Sequence, residues 1–331
     1  MYRENISSLV VVIPCYKAKD QINIVVSKLI SIGITKIIVV DDKCPDQSYK
    51  SIEDNNDVHI INLEKNKGVG GAFIEGFNYA YQKFSSSEFK FVAKIDADDQ
   101  HRTSDLLLML DDILRKDADY IKGNRYLLAR EPVGQSFMRK FGNFGLTFLH
   151  KLSTGYWHTG DPINGMILIR ANVMKLMITR YNINSRYLFE SSLLSSCSKI
   201  GGVVYDCPNV IKYDDEHSSL SIRTELFRFG YFYVKNFILR ILREYFYPTF
   251  NIGSIGIVIS LIFLPFSFIY GSMNYYTGID TNQPTEVGTI AIIMMSFFLG
   301  IVGLFFFLII DSNSRKGSYS IYKYIKDRDL K

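Results

Sequence analysis

The sequence has 331 residues, 38 basic and 33 acidic side chains, and a net charge of +5. That length accommodates one sizeable α/β domain plus an appendage, and so modest a charge carries no nucleic-acid signature. Apolar residues make up 47% of the chain, and the Phe and Tyr excess is concentrated after about residue 225, which sets the C-terminal part apart.

The N-terminal residues 1–8 are polar, and the apolar run Leu9–Ile13 is too short for the core of a signal peptide. Alternating strands and helices follow. Leu9–Ile13, Lys36–Val40, Val58–Asn62 and Phe89–Ile95 are short β-branched or aromatic runs that end in polar residues. Between them Gln21–Ser31, Val69–Phe84 and Ser104–Lys116 have helical periodicity. The alternation predicts a mostly parallel sheet with helices on both faces, with its ligand beyond the carboxyl ends of the strands.

Arg223–Tyr247 mixes Leu226, Phe229, Phe232, Tyr233, Phe237, Leu239 and Leu242 with Arg228, Lys235, Arg240 and Arg243. Such a segment is expected to lie in a lipid headgroup layer with its cations near phosphates, the alternative being a connecting helix packed on the domain. Two uncharged apolar runs come next, Gly253–Gly271 and Val287–Ile310, each long enough to cross a hydrocarbon core. The stretch between them, Ser272–Glu286, has no Lys or Arg, whereas the tail carries Arg315, Lys316, Lys323, Lys326, Arg328 and Lys331. The positive-inside rule puts the tail in the cytoplasm, and two spans return the chain to the side of its N-terminal domain. The expected organisation is a catalytic domain over 1–222, interfacial helices over 223–250, a transmembrane hairpin over 251–311 and a basic tail over 312–331. Two spans without internal charges offer no transport pathway.

Cys15, Cys44, Cys197 and Cys207 form no Cys-x-x-Cys pair, and no His stands at zinc-ligand spacing. They are expected to be reduced thiols of a cytoplasmic domain.

Acidic residues collect where strands end. Lys36–Val40 runs into Asp41-Asp42, and Phe89–Ile95 runs into Asp96-Ala97-Asp98-Asp99-Gln100-His101. Crowded carboxylates call for a cation, and Mg²⁺ or Mn²⁺ takes one or two of them together with phosphate oxygens of a substrate. Asp96 and Asp98 are two residues apart, so an extended backbone points both the same way. The alternative is a solvated turn with Asp99 or Asp105 capping the next helix. Asn66-Lys67-Gly68-Val69-Gly70-Gly71-Ala72 opens a helix with glycines, which either bring a backbone close to a phosphate or serve tight packing.

Together these residues resemble the family 2 glycosyltransferases, and within them the polyprenyl-phosphate glycosyltransferases of the dolichyl-phosphate mannose synthase type. Val10–Tyr16 looks like the family's first strand and nucleotide loop, and Ile37–Asp42 like its second. Asn66–Ala72 is similar to its Asn-x-Gly-x-x-x-Ala helix start, and Asp96–His101 to its Asp-x-Asp-x-Gln-His metal motif. Gly123-Asn124-Arg125 resembles its Gly-x-Arg segment, and Gly160-Asp161 with Gly165 and Arg170 its acceptor-side motif. Departures are Lys17-Ala18 where the family often has Asn-Glu, Asp99 in place of an apolar residue, and an acidic stretch over Tyr213–Leu220.

The resemblance implies a GT-A fold, Rossmann-like and α/β. It implies that Pro14, Tyr16, Val40, Asp42, Lys67, Gly68, Asp96 and Ala97 bind the nucleotide, and that Asp96, Asp98 and Gln100 meet Mg²⁺ or Mn²⁺. Asp98, Arg125 and Asp161 would serve catalysis, Arg125 near phosphate and Asp161 near the acceptor. The implied activity is inverting transfer of a hexose from a UDP- or GDP-sugar to a polyprenyl phosphate at the cytoplasmic face of a bacterial inner membrane. Membrane lipids are the other expected partner, and a symmetric homo-oligomer is a further expectation. A phosphate acceptor is already ionised and needs no strong base. A saccharide hydroxyl needs one, with Asp161 the first candidate and Glu190 the second, its alternative being an exposed helical acid. A third reading is a membrane scaffold that kept the fold and lost catalysis, against which the intact Asp96, Asp98 and Gln100 set stands. His101, His150, His158 and His217 are scattered and read as structural or exposed. Trp157 reads as a core or interface aromatic.

Overall fold

The computed structural model describes residues 2–127, 137–186, 188–209, 222–248 and 250–314. In chain order the elements are α1 (Tyr2–Ser7), β1 (Leu9–Cys15), α2 (Ile22–Ser31), β2 (Ile37–Asp41), β3 (Val58–Asn62), α3 (Gly68–Lys83), β4 (Phe91–Lys94), α4 (Asp105–Arg115) and β5 (Tyr120–Asn124). They continue with α5 (Phe137–Thr154), β6 (Ile167–Arg170), α6 (Ala171–Arg180), α7 (Phe189–Ile200), β7 (Val204–Pro208), α8 (Ile222–Ile241), α9 (Ile252–Thr281) and α10 (Val287–Asn313). The chain divides into two compact units, Met1–Val234 and Lys235–Lys316.

The first unit is built on a seven-stranded sheet of order β3-β2-β1-β4-β6-β5-β7. All neighbours are parallel except β6, which runs antiparallel to both β4 and β5. Every residue of β1 is buried. Alternation along the strand sends Leu9, Val11 and Ile13 into one core with α2 and α4, and Val10 and Val12 into another with α3, α6 and α7. A strand covered on both faces needs the unbroken apolar run that the sequence has there.

Expected strands and helices up to Lys116 lie where the periodicity puts them, within one or two residues. The strands β5, β6 and β7 were not anticipated. Each has only four or five residues, and β6 is recruited against its neighbours' direction by pairing. That reversal relocates Arg170. It pairs in register with Phe91, at the start of β4, and its guanidinium donates to the Ala118 carbonyl at 2.7 Å and the Ile113 carbonyl at 3.3 Å. It therefore staples the end of the sheet opposite Asp96 rather than joining an acceptor site.

In the second unit α9 and α10 form an antiparallel hairpin. Both are long and apolar enough to cross a membrane, and most of their apolar surface is exposed. The 30 residues of α9 make a rod about 45 Å long. The helix absorbs most of the stretch expected to be a loop, so only residues 282–286 connect the spans. Gly256 and Gly303 face each other so closely that a Cβ on either would meet the other's carbonyl oxygen, which is how small residues let two helices approach.

Arg240, expected near lipid phosphates, is turned inward. It is 1% exposed and forms a two-toothed ion pair with Asp311 at 2.7 and 2.9 Å, and Tyr245 donates to the same carboxylate at 2.7 Å. A buried guanidinium requires such a partner. Arg228 and Lys235 remain on exposed faces, beside Phe227, Tyr231, Ile238 and Leu239. The basic tail from Arg315, the acidic stretch Tyr213–Leu220 and His217 lie outside the described residues.

Candidate active site

Three parallel strands deliver the site. β1 ends at Cys15, β2 at Asp41, and β4 leads into Asp96. Their loops enclose a cavity of about 310 Å³ lined by Pro14, Tyr16, Asp42, Val69, Asp96, Ala97 and Asp98, among others. Asp96 and Asp98 thus share one cavity. Tyr16 is 48% exposed, and Lys17 Nζ lies over its ring, 5.6 Å from the centroid. Val40 is instead fully buried and packs in the core against α3, because Gly76 lets that helix ride directly over Val12 and Val40.

Asp42 closes the base of the cavity. Its carboxylate accepts the Lys67 N–H at 2.6 Å and the Gly68 N–H at 2.8 Å. Beyond Val69, the amides of Gly70 and Gly71 donate to the Ser185 carbonyl at 2.9 and 3.2 Å. The glycine-rich helix start therefore offers these donors to protein rather than to a phosphate. Gly68 has φ +79°, and a Cβ there would meet the Ser185 carbonyl oxygen, so close packing explains the glycine.

The acids of the metal motif have different environments. Asp96 Oδ1 accepts from Lys94 Nζ at 2.6 Å, and its Oδ2 lies 3.5 Å from His101 Nε2. Burial works against the Asp96 charge, but Lys94 and then His101 hold its carboxyl well below the usual range. Asp98 accepts the Gln100 N–H at 3.1 Å. Asp99 adopts a left-handed φ of 57° and is turned to α2, where Lys28 grips both its oxygens at 2.6 Å. The helix that follows begins at Ser104 with no side-chain cap, and Asp105 accepts from Asn209 Nδ2 at 3.1 Å.

Lys94 is a buried cation beside Asp96 that the strand pattern does not single out. Its side chain is 1% exposed, and it links Asp96 to Glu190, whose Oε1 is 3.2 Å away, while also donating to the Gly165 carbonyl at 3.1 Å. The available signal was a lysine inside an otherwise apolar strand, Phe-Val-Ala-Lys-Ile. Burial opposes its charge, yet the two carboxylates raise its pKa. Glu190 is accordingly no exposed helical acid: it is buried in the first turn of α7, and desolvation pushes its carboxyl up against the pull of Lys94.

Gly165 closes this cluster, since a Cβ there would overlap Asp96 Oδ2. Gly165→Ala should displace the Asp96 carboxylate and lower turnover by about tenfold to a hundredfold, with an unchanged far-UV circular dichroism spectrum. Retained wild-type turnover would refute the crowding.

At the end of β5, Arg125 binds Asp161 through Nε at 2.8 Å and Nη2 at 2.5 Å, and its backbone N–H donates at 3.1 Å. Asn164 Nδ2 adds a fourth donor at 3.0 Å. Burial opposes the Asp161 charge, but the Arg125 hydrogen bonds and charge lower its pKa. Asp161 itself has φ +46°. The remaining candidates are structural. His150 is buried with its pKa pushed down to about 3 by desolvation, His158 bonds the Val204 carbonyl, and Trp157 packs edge-on against Phe148. The four cysteines are buried thiols.

Among the described residues no three of His, Cys, Asp and Glu form a ready-made metal cage. A hard divalent cation shared with a diphosphate does not need one, since one or two carboxylates suffice. The all-oxygen set of Asp96, Asp98 and Gln100 fits such an ion. Lys94 already engages one oxygen of Asp96.

Residues 10–177 match the family described as glycosyl transferase family 2. The chain belongs to glycosyltransferase family 2. The UDP-N-acetylglucosamine–dolichyl-phosphate N-acetylglucosaminyltransferase of Methanococcus voltae is 30% identical over 182 residues, covering 50% of this chain and 70% of that protein. The undecaprenyl-phosphate mannosyltransferase of Micrococcus luteus is 22% identical, over 60% of this chain and 80% of its own. Glucosyl-3-phosphoglycerate synthase from Mycobacterium tuberculosis, solved with Mn²⁺, UDP and glucosyl-3-phosphoglycerate, superposes with a TM-score of 0.50 at 13% identity, covering 71% of this chain and 80% of that one. That likeness concerns the fold, which is GT-A in this glycosyltransferase as well.

Proposed function

We propose that this glycosyltransferase moves a hexosyl or N-acetylhexosaminyl group from a nucleoside diphosphate-sugar to a polyprenyl phosphate, with inversion. It works at the cytoplasmic face of a membrane spanned by α9 and α10. The observation that carries the acceptor assignment is the Arg125–Asp161 pair. A carboxylate gripped by one arginine, with a lowered pKa, is a poor general base. A guanidinium fixed by that carboxylate is a rigid receptor for a phosphate. A phosphate oxygen is ionised at neutral pH, so attack needs no base. The names of the Methanococcus and Micrococcus relatives, and the apolar hairpin, support the same acceptor.

The donor's nucleoside diphosphate occupies the cavity between Tyr16 and Asp98. Asp98, with Asp96 and Gln100, would hold Mg²⁺ or Mn²⁺, which neutralises charge on the leaving diphosphate. Lys94 keeps Asp96 ionised and fixed. Arg125 orients the attacking phosphate, and Asp161 orients Arg125.

A second reading, transfer to a saccharide hydroxyl, draws on Glu190, a buried acid with a raised pKa close to Asp96. Glu190→Gln separates the two. Loss of a general base costs about 10²–10⁴ in turnover, whereas a phosphate acceptor should leave turnover within about tenfold. The direct test supplies radiolabelled UDP- and GDP-sugars with polyprenyl phosphate, with Mg²⁺ or Mn²⁺ and with chelator. Metal-dependent label in the lipid supports the proposal. Metal-dependent hydrolysis of one donor without lipid label shifts the acceptor to a saccharide.

A further inference from the structure

We infer that Lys122 and Asp206 are a positioning pair that sets the Gly160-Asp161 turn and, through it, the orientation of Arg125 toward the acceptor anion. This rests on Arg125 facing the acceptor phosphate, as proposed above.

The two residues are register partners on the parallel strands β5 and β7, and their side chains are 1% and 5% exposed. Lys122 Nζ lies 3.2 Å from Asp206 Oδ1 and donates to the carbonyls of Gly123, at 3.1 Å, and Gly160. Asp206 Oδ2 accepts the Gly160 N–H at 2.7 Å and Asn124 Nδ2 at 2.6 Å. One ion pair thus captures both the N–H and the C=O of Gly160. A Cβ on Gly160 would also press on Asn124 Nδ2.

The residue after this clamp is Asp161, with φ +46°, a left-handed state uncommon for a non-glycine residue and more accessible to Asp than to most. From there its carboxylate meets both the backbone and the side chain of Arg125. Lys122 lies in β5 and Arg125 directly follows that strand, so the pair joins both sides of the Arg125–Asp161 contact. A buried ion pair adds little net stability compared with apolar residues of similar size. Its use here is geometric.

The test is the double variant Lys122→Met/Asp206→Leu in the full-length enzyme, kept folded by apolar replacement and checked by near-UV circular dichroism. The KM for polyprenyl phosphate should rise about tenfold or more. The KM for the donor and the slow hydrolysis of donor by water should stay within about twofold, as expected where only acceptor contacts are lost. Should the double variant not fold, Asp206→Asn carries the test: it keeps one oxygen for the Gly160 N–H, and a selective rise of about threefold is expected. An unchanged acceptor KM, or acceptor and donor KM rising together, overturns the proposal. Arg125→Ala is the control. If it leaves the acceptor KM unchanged, the acceptor reading itself has failed. If it raises the acceptor KM and the double variant does not, the clamp alone has failed.

Discussion

Asp98→Ala is expected to remove sugar transfer, lowering turnover by at least about 10²–10³, the size of effect seen when one preorganised stabiliser of developing charge is deleted. The reason lies in how the two acids differ. Asp96 is held by Lys94 and His101, whereas Asp98 lines the same cavity with a backbone amide of its own turn as a partner. Asp98 lines the cavity proposed for the donor, where a carboxylate can share a divalent cation with the diphosphate. The far-UV circular dichroism spectrum of the variant is expected to match that of the wild type. Turnover with a nucleotide-sugar, together with Mn²⁺ binding followed by electron paramagnetic resonance, checks this. Wild-type turnover in the variant would sink the metal assignment.

Lys94→Met should chiefly affect stability. The substitution leaves the buried Glu190 and the partly exposed Asp96 beside each other without their shared cation. Removing one member of a buried ionic cluster costs about 3–5 kcal/mol. For a unit of this size each kcal/mol is worth roughly 2–4 °C, so the apparent Tm in detergent should fall by roughly 6–20 °C. The double variant Lys94→Met/Glu190→Gln removes one of the two uncompensated acids and should recover part of the loss. A Tm for Lys94→Met within a degree or two of wild type would show that Asp96 and Glu190 find other compensation.

Much of the site proposed for the nucleotide was legible because it is local. Asp41-Asp42 and Asp96-x-Asp98 are read directly as polar groups at the ends of apolar strands, and parallel strands bring their ends together by topology. Asp99 was legible as an oddity but not as a role, since its partner Lys28 is 71 residues away. The glycines of Asn66–Ala72 invited a phosphate cradle. Only the tertiary structure shows that Asp42, 25 residues earlier, has taken the Lys67 amide, and that Gly68 and Gly70 are demanded by Asn184, Ser185, Arg186 and Phe189.

Periodicity and strand-end chemistry by themselves determined the α/β class, the first four strands with their helices, the two apolar spans and the acidic motif. Each of these is written in a contiguous stretch of chain, where side-chain period and length decide the outcome. Tertiary structure decided the rest: the reversed direction of β6, which carries Arg170 to the opposite end of the sheet, the inward turn of Arg240 to Asp311, and the burial of Lys94 between Asp96 and Glu190. These are charged groups whose placement depends on partners 71 to 96 residues distant or on pairing with non-adjacent strands. A buried charge goes where a counter-charge exists, and no local pattern records where that is.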